Sequence, residues 1–265
     1  MAKSKTTDQP GDAAKGKKEK KKATLASELR FYGFFLLAYL LFITFAWGQY
    51  RIPSESMQPT LEVGDRLYVS KFAYGYSRHD LPFGGKMKFL GDGVINASLP
   101  ERGDVVVFRN PKTEIVMIKR VAGLPGDEIQ YRAGRLYING ARIEREEIEE
   151  FLYREYQTNG VKPGKVVKIT KYQEQWPGEE NPHFIYEQSD TEMNDQRGPF
   201  VVPEGTLFFV GDNRDNSTDS RASGGPGFVP MSFVIGRAEM MVLSFNRCKE
   251  EEGLRCPGSR WFIKL

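Results

Sequence analysis

The chain has 265 residues, of which 40% are hydrophobic and 28% charged, and its formal net charge is +3 at pH 7. This length can bury the core of one large domain or two modest ones. Residues 1–30 hold nine lysines and arginines against four acidic residues, a net of +5, so the remainder sums to −2. The basic character belongs to the tail, which argues against a nucleic-acid-binding body. Two histidines and two cysteines are too few to predict a zinc site.

An uncharged segment near the N-terminus predicts a membrane anchor. The run from Phe31 to Trp47 contains no charged residue. With its flanks, the run nearly matches the roughly 30 Å hydrocarbon core of a bilayer. Tyr32 and Tyr50 lie near its ends, where aromatic side chains favour the membrane interface. We therefore predict a single transmembrane helix over residues 31–49.

The segment before this helix is polar and rich in lysine. Its composition predicts disorder over residues 1–22 and a basic cytoplasmic tail over residues 1–30. Positive charge preceding a span favours the cytoplasmic side, so the rest of the chain is expected outside the cytoplasm. A cleaved secretory signal peptide is the alternative, because Ala46 to Gly48 loosely resemble a cleavage site. The apolar run is long for such a peptide, however, and Trp47 is bulky.

Short apolar runs separated by turn residues follow the anchor. Leu61 to Phe72 alternate around a Gly-Asp turn and predict a hairpin. Residues 101–123 predict two antiparallel strands of a buried sheet, separated by turn formers around Pro111. Residues 135–143 predict a hairpin closed by an Asn-Gly turn.

The second half of the chain predicts an insertion and further strands. Residues 144–199 are charged and irregular in pattern, which predicts an inserted lobe. Thr206 to Asn213 predict a strand that ends in a polar turn, and Phe233 to Phe245 predict a strand pair or one long bent strand. The predicted fold class is mostly β: an antiparallel sheet or barrel-like domain formed by residues 50–143 and 200–265, with the lobe between them and one N-terminal transmembrane helix before them.

Three polar features stand out against this layout. Ser54 and Ser56 lie two residues apart in I-P-S-E-S-M-Q-P-T-L, between prolines that disfavour helix and central strand; a plain proline-serine linker is the alternative. Lys119 ends the apolar strand I-V-M-I, where a lysine would usually extend to water. Residues 211–221, G-D-N-R-D-N-S-T-D-S-R, predict either a structural turn or a buried hydrogen-bond network.

Four blocks in this order resemble bacterial type I signal peptidases, which are membrane-bound serine endopeptidases that remove signal peptides from exported preproteins. The blocks are I-P-S-E-S-M-Q-P-T-L, R-G-D-V-V-V-F, I-K-R-V-A-G-L-P-G-D and G-D-N-R-D-N-S-T-D-S-R. The resemblance implies that Ser56 is the nucleophile and Lys119 the general base. A lysine is almost wholly protonated at pH 7, so such a base requires burial that lowers its pKa.

The same resemblance implies roles for the neighbouring residues. Ser217 would orient the lysine amine, and Ser54 with the backbone N–H of Ser56 would form the oxyanion hole. Asp219 and Arg221 would form a structural salt bridge beneath the site. Glu55 departs from the family, where many members have glycine, so its side chain must point outward or the turn must differ.

The resemblance also implies the substrate and the surroundings of the site. Signal peptides end in a small-x-small pattern, and shallow apolar pockets would accept alanine there; an extended peptide would add to strand edges near Val107 and Met117. The implied partners are preprotein signal peptides and membrane lipid, without cofactor, metal or nucleic acid. The implied location is the inner membrane, with an extracytoplasmic catalytic domain. The pocket residues, each of which is equally compatible with plain core, are Ile52, Met57, Leu61, Val107, Met117 and Ile118.

Several alternatives remain from the residues themselves. A histidine-based triad would need His79 or His183, which stand in loop-like surroundings. A self-cleaving repressor-type peptidase shares the Ser-Lys pair, but no helix-turn-helix pattern precedes the β region. A non-catalytic, membrane-tethered β-domain that binds exported peptides is the alternative from another class. Cys248 and Cys256 either form a small disulfide loop or remain free thiols.

Overall fold

The computed structural model describes residues 25–80, 91, 93–157, 162–244 and 250–265. The predicted tail, apart from its last six residues, lies outside this range. The chain divides into two units after Tyr39, within the single helix α1 (Leu25–Phe45). The 21 residues of α1 have no buried side chain and a mean hydropathy of 1.5 in the most apolar window. By length, about 30 Å, and by composition, α1 is able to cross a membrane. Helix α1 begins before the predicted start at residue 31. It also ends before the predicted end at residue 49, because Trp47 already belongs to the first strand.

The remainder confirms the prediction of a mostly β, antiparallel fold. Its main sheet has eight strands in the order β1-β2-β14-β3-β4-β12-β13, with β15 paired to β14. The strands are β1 (Trp47–Arg51), β2 (Asp65–Ser70), β3 (Val105–Arg109), β4 (Val116–Gly123), β12 (Thr206–Val210), β13 (Val229–Pro230), β14 (Val234–Ser244) and β15 (Trp261–Lys264).

Strand β14 lies inside this sheet, between β2 and β3. It is one long strand rather than a strand pair, and it pairs with β3 in its first half and with β2 over its second half. The two pairings run along opposite edges of β14, so Arg237 pairs with both Ser70 and Val106, and each pairing contains a register shift. The prediction of a hairpin within residues 61–72 is wrong. Strand β2 pairs instead with β1, which precedes the proline-serine stretch. Residues 61–63 instead belong to the turn region that connects the two strands.

Two smaller sheets flank the main one. The first has the order β11-β5-β6-β7, and its β6-β7 hairpin turns at Asn139-Gly140 as predicted. The second has the order β10-β9-β8. These strands are β5 (Glu128–Arg132), β6 (Arg135–Ile138), β7 (Ala141–Arg142), β8 (Arg145–Gln157), β9 (Lys162–Glu174), β10 (His183–Glu187) and β11 (Arg197–Val201).

The segment 144–199 is more regular than its sequence predicts. Strands β8 and β9 each have 13 residues and form one long hairpin. Its charges are not a sign of irregularity, because several of them pair across the strands, as Glu150 does with Lys168 at 2.7 Å. A small core lies on the hairpin and its neighbour β10, formed by Phe151, Tyr153, Val167, Ile169 and Tyr186.

The main sheet is buried on both faces around β3. Val105 and Val107 join one core, whereas Val106 and Phe108 join another, in keeping with the period of two along a strand. This is why residues 105–108 read as an uninterrupted apolar run. In the second core the rings of Phe108 and Phe209 stack with centroids 4.2 Å apart.

We expect Phe209→Ala to destabilise the domain by about 3–5 kcal/mol, because Phe209 is fully buried and its removal leaves a cavity against Phe108. Urea unfolding of the detergent-solubilised protein, followed by tryptophan fluorescence, measures this loss. Val201→Ala is the control, since Val201 is 61% exposed, and it should change the free energy of unfolding little. An equal effect of both substitutions would contradict the core assignment.

Candidate active site

The stretch Ile52–Leu61 forms a series of turns between β1 and β2. The backbone N–H of Ile52 donates to Asp65, and that of Leu61 donates to Met57. Ile52, Met57 and Leu61 are at most 2% exposed and pack into the core. This anchorage fixes both ends of the turn that carries Ser54 and Ser56.

Lys119 lies on β4 opposite Val106 of β3, and its side chain meets the turn. Its Nζ lies 2.6 Å from Oγ of Ser56 and 2.8 Å from the carbonyl oxygen of Ile118. Lys119 is 3% exposed. Burial lowers the pKa of Lys119 to about 8 from its ordinary value of 10.5, against the opposing influence of Asp219 and Asp212. A shift of this size corresponds to about 3 kcal/mol, which the fold loses at pH 7 by keeping the amine away from water.

Each of the two carboxylates near Lys119 is paired with an arginine. Asp219 and Arg221 form the predicted pair, with Nη2 and Oδ2 2.9 Å apart and both side chains fully buried. Burial alone would raise the pKa of Asp219, but the Arg221 guanidinium holds it below its ordinary value. Asp212 accepts two hydrogen bonds from Arg120, at 2.8 and 2.7 Å. These pairings weaken the attraction that would otherwise return Lys119 to its charged form.

The Arg120–Asp212 pair was not predicted from the sequence. Both residues lie inside the recognised blocks, but the sequence gives no sign that the ends of β4 and β12 bring them together. In the structure Val210 is the partner of Arg120 across these two strands, so Asp212 follows it into reach of the guanidinium. A strand assignment that included register would have indicated this contact.

Ser54 and Ser217 are both near the pair but differ in their contacts. Oγ of Ser54 lies 3.3 Å from Oγ of Ser56. Within the described residues the backbone N–H of Ser56 meets no acceptor. Ser217 is buried beside Gly211, where an added Cβ would clash with Oγ of Ser217 and with the carbonyl oxygen of Ser56. No described hydrogen bond joins Ser217 to Lys119, so its orienting role stays a prediction.

A groove of about 500 Å³ opens onto the Ser-Lys pair. It lies between the end of β1 and the exposed start of β4, and Ser54 and Ser56 form part of its wall. Asn216 and Thr218, which the sequence did not single out, also line it. Four of the six predicted pocket residues are among its lining residues: Ile52, Val107, Met117 and Ile118.

Two parts of the pocket prediction differ from the structure. Met57 and Leu61 do not line the groove, because both have no exposed surface and lie in the core beneath it. Val107 offers no strand edge for a peptide, because β3 is paired with β14 on one side and β4 on the other. The edge of β4 over residues 116–119 meets no other described strand, since β12 pairs only from Arg120 onward.

Glu55 does not point outward to solvent. It is 4% exposed and accepts hydrogen bonds from Tyr153 of β8, from the backbone of Tyr156 and from Asn216. Burial raises the pKa of Glu55 to about 7, although these hydrogen bonds oppose the shift.

The histidines and the described cysteine lie apart from the groove. His79 stacks on Phe233, and His183 packs on Trp176 and pairs with Glu179. No described hydrogen bond joins either histidine to Ser56. Cys256 is in a disulfide; Cys248, the other cysteine of the sequence, lies outside the described residues.

The described residues contain one group of carboxylates with the spacing of a metal site, formed by Glu187, Asp195 and Asp215. Burial raises the pKa of all three, that of Asp195 to about 6. Nη1 of Arg145 lies 3.3 Å from Glu187 and offsets part of the charge. None of the three lines the groove.

Comparison with known proteins identifies the class. A family model described as signal peptidase, peptidase S26, matches residues 25–243. The signal peptidase I of Rickettsia typhi is 34% identical over 228 residues, which cover 83% of this chain and 81% of that protein. The signal peptidase I of Pseudomonas aeruginosa is 36% identical over 219 residues, 79% of this chain and 69% of that protein. A crystal structure of a signal peptidase I from Enterococcus faecalis is 26% identical, with a TM-score of 0.30, and covers 53% of this chain and 97% of that one.

The chain belongs to the signal peptidase family, peptidase S26. The assignment rests on the sequence matches, which span most of the chain and of its relatives. It confirms the recognition made from the four sequence blocks. The protein is therefore a serine endopeptidase that removes signal peptides, and its apolar N-terminal helix fits a membrane-anchored member of that family.

We expect Lys119→Met to stabilise the domain at pH 7, by up to about 3 kcal/mol, because the folded protein no longer has to keep a charged ammonium group away from water. The pKa of Lys119 is lower in the folded state, so the unfolded chain binds more protons between pH 8 and 10.5 and wild-type stability rises with pH across that window. The advantage of Lys119→Met should therefore shrink from pH 8 to pH 10.5. Urea unfolding at several pH values measures it.

Lys168→Met serves as the control for this experiment. The Lys168 side chain is 62% exposed, so the effect of its loss should not follow the same pH dependence. An advantage of Lys119→Met that stayed constant over this window would contradict a neutral buried amine.

Proposed function

We propose that the chain cleaves signal peptides by acyl transfer, with Ser56 as the nucleophile and Lys119 as the general base. The main support for this proposal is the distance of 2.6 Å between Nζ of Lys119 and Oγ of Ser56, in a buried setting that lowers the pKa of the lysine. A serine hydroxyl needs such a neighbouring base to become a nucleophile. Within the described residues no hydrogen bond joins His79 or His183 to Ser56, and neither histidine lines the groove.

In the first step, the neutral amine of Lys119 takes the proton of the Ser56 hydroxyl while Oγ attacks the carbonyl carbon of the scissile bond. The resulting ammonium then gives its proton to the departing amine of the mature protein, leaving an ester on Ser56. Lys119 next takes a proton from water, which attacks the ester; the proton returns to Oγ as the signal peptide is released as an acid.

The oxyanion of each tetrahedral intermediate needs hydrogen-bond donors. The backbone N–H of Ser56 is available for this role because it has no acceptor within the described residues. The Ser54 hydroxyl, 3.3 Å from Oγ of Ser56, is the second donor. Ser217, which is buried next to Gly211, would orient the amine of Lys119, and the Asp219–Arg221 pair would support the site from beneath.

The substrate binds as an added strand. The edge of β4 over residues 116–119 leaves backbone groups for an extended peptide, and the groove follows this edge to Ser56. Main-chain hydrogen bonds of this kind tolerate many sequences. The apolar groove wall, with Ile52, Val107 and Ile118, restricts side-chain size and favours a small-x-small motif before the cut.

The proposed location is the inner membrane, with the N-terminus in the cytoplasm. The lysine-rich residues before α1 support this orientation, because such residues are retained on the cytoplasmic side. Helix α1, which has no buried residue, would contact lipid, and the residues after it would act outside the cytoplasm.

Removal of either member of the pair tests the mechanism. Ser56→Ala and Lys119→Met are each expected to abolish cleavage of a synthetic preprotein, with the products followed by mass.

For the wild type, kcat/KM should rise about tenfold per pH unit below the pKa of Lys119 and level off above about 8, because only the neutral amine accepts the proton. Cleavage retained by Lys119→Met, or a rate that falls as pH increases from 6 to 8, would contradict the assignment. A non-catalytic binding domain would keep peptide binding in all three proteins without any cleavage.

Changing the size of the substrate side chains tests whether the groove selects small residues before the cut. Replacing alanine by phenylalanine at the position before the cut should lower kcat/KM by a factor on the order of 100, since the apolar groove has to exclude the larger side chain. The same replacement one position earlier should have a small effect, because successive side chains of an extended peptide point to opposite sides. Equal tolerance of phenylalanine at both positions would show that the groove does not select by size.

A further inference from the structure

Glu55 links the nucleophile turn to a distant part of the chain. Its Oε1 accepts a hydrogen bond from the Tyr153 hydroxyl at 2.7 Å and from the Tyr156 backbone N–H at 3.0 Å. Both donors belong to β8, in the long hairpin formed by β8 and β9. Oε2 accepts a third bond, from Asn216 at 3.1 Å. The residue between Ser54 and Ser56 is thus held from two sides.

A second layer of hydrogen bonds closes this link. Nε2 of Gln58 donates to the Tyr153 hydroxyl at 3.0 Å and to Glu62 at 2.6 Å. Nδ2 of Asn213 donates to the backbone carbonyl of Glu55 at 3.2 Å, and its backbone N–H donates to that of Ser56. The side chain of Glu55 therefore does not act alone: the turn, β8 and the segment after β12 meet in one network.

The three described hydrogen-bond partners of the Glu55 side chain are all donors. A buried carboxyl is costly unless its oxygens are hydrogen-bonded. Burial raises the pKa of Glu55 to about 7, and a protonated or an ionised carboxyl can accept these bonds. Its oxygens bond Tyr153, Tyr156 and Asn216, and no described hydrogen bond joins them to Ser56 or Lys119. Its contacts suit holding the turn rather than moving a proton in the reaction.

The β8 end of this link is itself anchored. Tyr153 is 4% exposed and belongs to the small core of the hairpin. On its other side β8 is braced by the C-terminal segment, where the backbone N–H of Arg255 donates to Leu152 and Arg154 pairs with Glu251 at 2.6 Å. Because these contacts hold β8 in place, its hydrogen bonds to Glu55 can fix the position of the turn that carries Ser56.

We propose that Glu55 is a positioning residue, which fixes the turn bearing Ser54 and Ser56 against strand β8 so that the inserted hairpin sets the geometry of the nucleophile. This inference rests on the proposed roles of Ser56 and Lys119. The reaction depends on Oγ staying within reach of Nζ, and a displacement of about 1 Å is enough to cost on the order of 100-fold in rate. The hairpin thus takes part in catalysis without touching the substrate.

Steady-state and single-turnover cleavage of a synthetic preprotein by the full chain in detergent tests this role. Glu55→Ala removes the acceptor and should lower kcat by a factor of about 10 to 100, with KM changed by less than about threefold. Glu55→Gln keeps an oxygen for Tyr153 and Tyr156, so it should recover most of the lost rate. Tyr153→Phe should lower kcat less than Glu55→Ala, and the double variant should be no slower than Glu55→Ala alone, because both changes break the same link.

Glu187→Gln is the matched control. Glu187 is also a buried carboxyl of the inserted segment, 2% exposed, but it has no described contact with the turn. Its replacement should leave kcat within about twofold, at a temperature where tryptophan fluorescence shows every variant folded.

The results separate the inference from the proposed mechanism. If wild-type protein and all variants fail to cleave, or cleavage persists in Ser56→Ala, the mechanism fails. If the wild type cleaves and Glu55→Ala keeps a kcat within about twofold, or Glu187→Gln loses as much as Glu55→Ala, the positioning role is overturned. A rise in KM alone would equally overturn it, since that result would make Glu55 a substrate-binding residue.

Discussion

The central constraint on this protein is that the amine of Lys119 must lose its proton at a pH well below the ordinary pKa of a lysine, while it is surrounded by a polar site. Burial achieves this at a cost of about 3 kcal/mol. Two buried carboxylates stand close enough to undo the effect, and each is matched by an arginine: Asp219 by Arg221 and Asp212 by Arg120. Both carboxylates of residues 211–221 that face Lys119 are thus paired, one within the segment and one with β4, and the lysine meets little net negative charge.

This arrangement explains why so much of the fold converges on one point. Strand β4 brings Lys119, the segment after β12 brings the paired acids, and the turn between β1 and β2 brings Ser56. The turn is fixed below by core side chains such as Met57, and laterally by Glu55. Rigidity here has a chemical purpose, because a serine that drifts from its base loses reactivity long before the domain loses stability.

Sequence reasoning was most successful where a pattern is local. Strands β3 and β4 and the Asn139-Gly140 turn follow from short apolar runs bounded by turn formers. It was less successful where the outcome depends on distant partners. The long hairpin in residues 144–199 escaped prediction because its charges pair across strands. Likewise, the sequence predicts that Glu55 points outward or accompanies a different turn, whereas the structure buries it. The reason is a distant partner: Tyr153, which donates a hydrogen bond to Glu55, is 98 residues away in the chain. The burial of Met57 and Leu61 beneath the groove follows from core packing that a list of residues does not reveal.

The central position of β14 has a consequence for the order in which the protein matures. Residues 234–244 are synthesised well after β2 and β3, yet they lie between these two strands in the sheet. Until they arrive, these early strands have exposed edges and cannot hold the turn and β4 in register. The Ser56–Lys119 pair can therefore form only after β14 has been inserted between the two earlier strands, so a partly folded chain lacks the assembled site.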